Sequence, residues 1–234
     1  MKTIDVCLSP ELVHLYSVRD KTVVVVDILR ATSCMVTAFA HGVKGIVPIA
    51  NLDDCLKLKS KNYITSGERN GEKVDGCDKG NSPFEYMSND IKGKNIAFTT
   101  TNGTMAIEKA KEASELLIGS FLNLSSTVER LKQSNNSILI LCSGWKGRFN
   151  LEDTLFAGAL IEKISEYVTP DDDAPLAALH LYKNAKSNLI DYLNLSSHVK
   201  RLNRLNIHKD IEFCLTVDQY NVVPELSNGE LVLR

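Results

Sequence analysis

The sequence predicts an α/β protein: a layered sheet with substantial parallel character, flanked by helices, with a helical C-terminal third that ends in a β-hairpin. Three observations lead there. Short β-branched runs recur without polar alternation, as strands buried on both faces require. Segments with apolar residues three and four apart fall between several of them. Beyond Thr169 strand signals thin out, until a closing stretch carries β-branched runs around the turn "SNGE".

The run "KTVVVVDILRATSCMV", Lys21 to Val36, sets the pattern. Val23 to Ile28 reads as a strand with Asp27 near its end. Met35, Val36, Phe39 and Ala40 then recur at helical spacing, and Gly42 supplies the stop. Further strands are predicted at Gly45 to Ile49, Tyr63 to Thr65, Asn95 to Thr99, Glu115 to Ile118 and Ser137 to Leu141. Helices are predicted over "TMAIEKAKEA" and "LEDTLFAGALIEKISEY", the second on the spacing of Leu155, Phe156, Ala159, Leu160 and Ile164. The stretch from "TPDDD" to "RLNRLN" reads as two or three helices. Residues 1–168 thus form an α/β core and residues 169–234 a helical and β part, either independent or packed on the same core.

A chain of 234 residues, 44% of them hydrophobic, can bury one large core or two modest ones. Its formal charge of −2 and pI near 6.2 give no general attraction to nucleic acid or to anionic membrane. With no leader-like N-terminus and no bilayer-length apolar run, a cytoplasmic protein is expected. Six scattered cysteines show no zinc-ligand spacing, so a metal here would be a hard cation held by oxygen, magnesium first.

Several strands end in polar, Gly-containing loops, and in open α/β sheets such loops converge on ligands. In "IAFTTTNGTMAI", Thr101, Asn102, Gly103 and Thr104 lie between a strand and a helix and can cradle an anion, or simply cap the helix. "LILCSGWKGRF" repeats the design with Lys146 and Arg148, as a binding loop or a solvated surface turn. Glu152 and Asp153 open the next helix as ligands or as partners of its dipole. The stretch from Thr65 to Tyr86 places Glu68, Arg69, Asp75, Asp78, Asn81 and Ser82 on a long Gly-punctuated loop of functional type. A buried Asp27 calls for a nearby metal or cation, and Arg30 is nearest in sequence. Of five histidines only His198, in "SSHVKRL", has suggestive company.

The phrases "VVVVDILRATSCMVTAFAHG", "GERNGEKVDGCDKGNSPFEY", "FTTTNGTMAI", "GSFLN", "CSGWKGRFNLEDTLFAG" and "SSHVKRL...DIEFC...VVPEL" resemble, in this order, the 2-phosphosulfolactate phosphatase family. The resemblance implies a magnesium-dependent phosphatase that hydrolyses 2-phospho-3-sulfolactate to 3-sulfolactate and phosphate, a step of coenzyme M biosynthesis. Where that family has "HGRRL", this chain has His198, Val199, Lys200, Arg201 and Leu202. The resemblance implies Asp27 as metal ligand or nucleophile and Arg30 as phosphate clamp. Metal ligands are then expected among Asp27, Glu68, Asp78 and Asp153. Substrate contacts are expected from Arg69, Asn81, Ser82, Thr101, Asn102, Gly103, Thr104, Lys146 and Arg201. The partner is a small anionic phosphomonoester, with a homodimer left open. A haloacid-dehalogenase-like phosphatase needs a second Asp two positions after Asp27, where Leu29 stands. A non-catalytic nucleotide-binding module has neither a G-x-G-x-x-G nor a Walker motif to support it. Attack by water with Asp27 as ligand is favoured over an aspartyl-phosphate.

Overall fold

In a computed structural model, which describes residues 2–234, strands and helices alternate through most of the chain. They are β1 (Lys2–Cys7), β2 (Lys21–Val26), α1 (Ala31–Ala40), β3 (Gly45–Pro48), α2 (Leu52–Lys57), β4 (Ile64–Arg69), β5 (Glu72–Lys73), β6 (Asn95–Thr99), α3 (Gly103–Ala110) and β7 (Glu115–Gly119). There follow α4 (Leu124–Gln133), β8 (Ser137–Cys142), α5 (Leu151–Ile164), β9 (Val168–Pro170), α6 (Asp173–Ala185), α7 (Leu189–Leu193), α8 (Ser197–Asn203), α9 (His208–Cys214), β10 (Glu225–Ser227) and β11 (Glu230–Val232).

The sheet order is β5-β4-β6-β3-β11-β10-β7-β2-β8-β1-β9. Two parallel blocks make it up: β9, β1, β8, β2 and β7 on one side, β3, β6 and β4 on the other. The hairpin β10–β11 joins them, antiparallel to each through a single registered pair, Glu225 opposite Leu117 and Leu231 opposite Ile46. Its two-residue turn puts Asn228 and Gly229 at φ of 52° and 82°, the left-handed pair a type I′ turn needs. A boundary at residue 168 falls inside β9, and α6 to α9 bury Ala178, Leu193, Val199 and Ile211 in the same cluster as Ile4 and Val24.

The valine run of β2 is buried on both faces, as its sequence predicts. Val24 and Val26 join a core shared with α4, α5 and α6, while Val23 and Val25 face a second core built on α1 and α3. That second core also takes Ile46, Ile96 and Phe98, so α1 and α3 share one core with strands of both parallel blocks. Helix α1 is buried from Ala31 to Phe39, which an unbroken apolar and small-residue composition permits. The polar residues behind Asp27 anchor its start: Thr32 Oγ1 donates to the Asp27 carbonyl at 3.0 Å, and Ser33 Oγ to that of Ile28 at 2.9 Å.

The segment from 65 to 86 is not a free loop. Gly67 N–H donates to the Lys79 carbonyl and Asp78 N–H to that of Thr65, which lays the chain back along β4. Tyr86 is fully buried, and Cys77 and Lys79 nearly so.

Candidate active site

Asp27 leaves the end of β2 between α1 and the start of α3. Gly103 makes the close approach possible: a Cβ there would lie 2.8 Å from Ala31 Cβ and 2.9 Å from Asp27 Oδ2. Asp27 is 8% exposed and accepts a long hydrogen bond, 3.4 Å from Ala31 N–H, and forms no ion pair among the described residues. Burial pushes its carboxyl up to about 7; Glu68 and Glu152 push in the same direction, and His198 opposes them.

Two neighbours come from the first turn of α5, which the sequence leaves as ligands or dipole partners. They divide the roles. Asp153 spends both oxygens on backbone, accepting from Ile28 N–H at 2.9 Å and Gly144 N–H at 3.0 Å, and so ties the end of β2 to the loop after β8. Glu152 is wholly buried; its Oε1 meets His198 Nδ1, and its Oε2 has no partner among the described residues. His198 lies on Trp145, ring centroids 5.5 Å apart, and its Nε2 forms no hydrogen bond within the described residues.

Glu68 sits on β4 and braces two loops, accepting from Gly71 N–H at 2.5 Å and Thr101 N–H at 3.3 Å. Arg69 next to it donates to Thr99 Oγ1 at 3.0 Å. In the loop after β6, Asn102 precedes α3 without capping it. Its Oδ1 instead accepts from Lys146 N–H at 3.1 Å, joining this loop to the one after β8. The capping role falls to Thr100 and Thr104, which bond one another reciprocally. Thr101 and Asn102 line a cavity of about 210 Å³ with Ser143 and Lys146. The convergence of the β6 and β8 loops on Asp27 therefore exists as strand-end logic predicts.

Arg30 is paired with Asp210, not Asp27, and also donates to the Gly71 carbonyl at 2.9 Å. Asp210 in turn accepts from Ser82 Oγ at 3.1 Å, so half-buried Ser82 and buried Arg30 are joined in one network that holds α9 to the site loops. Asp78 is turned away: its carboxylate accepts from Thr65 N–H and Oγ1, both at 2.9 Å, and pairs with Lys59 at 2.6 Å. Those bonds, at the start of β4 opposite Glu68, hold its carboxyl below the ordinary value despite partial burial. Asn81 is buried, with Oδ1 unpartnered. The Glu152–His198 pair is absent from the sequence reading, since 46 residues separate its members and no local spacing announces it.

Among the described residues no three His, Cys, Asp or Glu side chains form a group able to hold a metal ion, so Asp27, Glu68, Asp78 and Asp153 are not a preformed cage. The reason is visible in the bonds: Asp153 and Glu68 are engaged with backbone, and Asp78 is elsewhere. Asp27 and the free oxygen of Glu152 remain. Magnesium takes one or two carboxylates and completes its shell with water and substrate phosphate, so this donor set fits it.

Buried carboxylates at strand ends, behind a cleft lined by Lys146, His198 and Arg201, mark an α/β protein with a concave, cationic surface suited to a small anion. The family model of 2-phosphosulpholactate phosphatase matches residues 7–229, and the chain belongs to that family of phosphoric monoester hydrolases. Similar proteins named probable 2-phosphosulfolactate phosphatase occur in Caldanaerobacter subterraneus subsp. tengcongensis, 42% identical with 90% of each chain covered. The Thermotoga maritima protein of that name is 41% identical, covering 99% of this chain and 98% of its own. That of Clostridium acetobutylicum is 36% identical, covering 98% and 99%.

Proposed function

We propose that the protein is a magnesium-dependent phosphatase that hydrolyses 2-phospho-3-sulfolactate to 3-sulfolactate and phosphate, the coenzyme M biosynthetic step that family membership suggests. One observation carries the reading: Asp27, buried with no ion pair among the described residues, feels the charge of a buried Glu152 that has an unpartnered oxygen. Two carboxylates so placed repel each other unless a cation joins them. Asp27 and Glu152 would hold the magnesium, whose Lewis acidity polarises the phosphoryl group. Asp153 fixes the β2 and β8 loops around it, and Glu68 fixes Gly71 and Thr101. Glu152 accepts from His198 Nδ1–H, and in its imidazolium form the ring carries on Nε2 the proton that the departing alkoxide would take up, leaving a neutral imidazole.

Attack by water is the favoured route. The position two residues after Asp27, where an aspartyl phosphatase keeps its acid, is Leu29, and it is buried in the core. Phosphate release from 2-phospho-3-sulfolactate is expected with magnesium and not after exhaustive chelation. Absence of turnover would reject the substrate, and undiminished turnover in chelator would reject the metal. Adding glycerol to the same assay separates the routes: alkyl phosphate formed in a ratio independent of the leaving group would reveal a phosphoenzyme.

A further inference from the structure

Two clefts, of about 370 and 400 Å³, meet at Trp145, Lys146 and Arg201. Their walls carry four cations, Lys146, Arg148, Arg201 and Arg204, and no Asp or Glu. None of the four forms an ion pair among the described residues, in a chain whose formal charge is −2.

Arg201 is the most committed of them. Its guanidinium carbon lies 4.6 Å above the Trp145 ring, and Nη1 makes one long bond, 3.4 Å, to Ser197 Oγ. Nε and Nη2 are buried and unpartnered. These two nitrogens are the side-on fork of the group, the pair of parallel donors that matches two oxygens of a carboxylate or sulfonate. A buried charged donor left unpaired is costly, so a fork held open on an aromatic floor implies that a ligand completes it. The reacting centre is close by: His198 stacks on the same Trp145, and the charge of Glu152 reaches Arg201 against the effect of burial. The neighbouring departures from the family's pattern leave this fork intact. Val199 is packed in the core and Lys200 is exposed to solvent.

We propose that Arg201, seated on Trp145, binds the non-reacting acid group of the substrate and thereby selects phosphomonoesters that carry a second strong anion. The inference rests on the phosphatase reading above. It predicts a KM effect, because the group bound is remote from the bond that breaks.

The experiment compares wild type, Arg201→Ala and Arg201→Lys on four compounds: 2-phospho-3-sulfolactate, 2-phospholactate, the phosphate ester of 2-hydroxyethanesulfonate, and ethyl phosphate. Arg201→Ala is expected to raise the KM of phosphosulfolactate by about 10- to 100-fold, the loss associated with a hydrogen bond to a charged group, and kcat by comparison little. The ratio of its kcat/KM to that of ethyl phosphate should fall by a similar factor. Arg201→Lys should recover only part, since an ammonium keeps the charge without the fork. Losses that follow the sulfonate across the panel assign Arg201 to sulfonate; losses that follow the carboxylate assign it to carboxylate. Equal losses on all four compounds, or a fall in kcat at constant KM, would overturn the proposal. If wild type turns over none of them, the substrate reading fails by itself. The Arg201 assignment is then decided by calorimetric binding of 3-sulfolactate to wild type and both variants, where unchanged affinity would overturn it.

Discussion

Replacing Asp27 by Asn should stabilise the metal-free protein while removing its activity. A rise from the ordinary 3.8 to about 7, at about 1.4 kcal/mol for each tenfold change in proton affinity, makes the ionised carboxylate cost on the order of 4 kcal/mol in the folded chain. Its folded pKa lies above the unfolded one, so on raising the pH the unfolded chain loses this proton first. Stability is therefore full below about 3.8, declines as the pH climbs to about 7, and is flat beyond. Asparagine keeps the volume and an acceptor for Ala31 N–H and carries no charge. Urea unfolding in EDTA should show Asp27→Asn and wild type close to equal near pH 4, and the variant more stable by about 2–4 kcal/mol at pH 8.5. Millimolar magnesium should close that gap by stabilising wild type alone, as a ligand of the folded state does. A variant no more stable than wild type at pH 8.5 would refute the reasoning, because the carboxylate would then have a partner in the folded chain.

Asp210→Asn removes the partner of a buried guanidinium, and urea unfolding should show a loss of about 3–5 kcal/mol; an effect below 1 kcal/mol would mean that Arg30 is satisfied elsewhere. Gly103→Ala drives a methyl group against Ala31 and Asp27, and should cost about 1–3 kcal/mol together with a fall in kcat, measured by unfolding and by phosphate release. His198→Gln should reduce hydrolysis of an alkyl phosphate by about 100-fold or more and that of p-nitrophenyl phosphate much less, because a good leaving group needs no proton. Equal losses on both esters would remove His198 from the proton path.

Much of the fold was legible because it rests on local composition. The valines of β2 can only be a doubly buried strand, and Asn228–Gly229 can only be a tight turn. β1 is not legible in the same way, because charge interrupts "KTIDVC" and its buried Asp5 is answered by Lys21, beyond the strand itself. The segment from 65 to 86 looked free because its attachment is through backbone hydrogen bonds to β4, which leave no trace in side-chain pattern. The candidate site divides in the same way. That Asp27 and the "TTTNGT" loop lie at strand ends follows from position. Which of two successive acids on α5 meets α8 does not, since adjacent helical residues point about 100° apart, and the partner that Glu152 finds there, His198, is remote in sequence. Arg30 and Asp210 are likewise 180 residues apart.

The place of the β10–β11 hairpin governs how the molecule comes into being. Every other strand precedes it in the chain, yet it occupies the middle of the sheet. During synthesis the two parallel blocks can therefore form while β7 and β3 still present bare edges, each a row of unpaired backbone donors and acceptors. Closure waits for a pairing between Ile46 and Leu231, nearly the full span of the chain, the kind of distant contact that folds slowly. A product truncated before Glu225 would hold Asp27 and most of the loops around it while carrying two adhesive strands. Its fate would be association with other copies, and quality control at the ribosome would meet it as an aggregate.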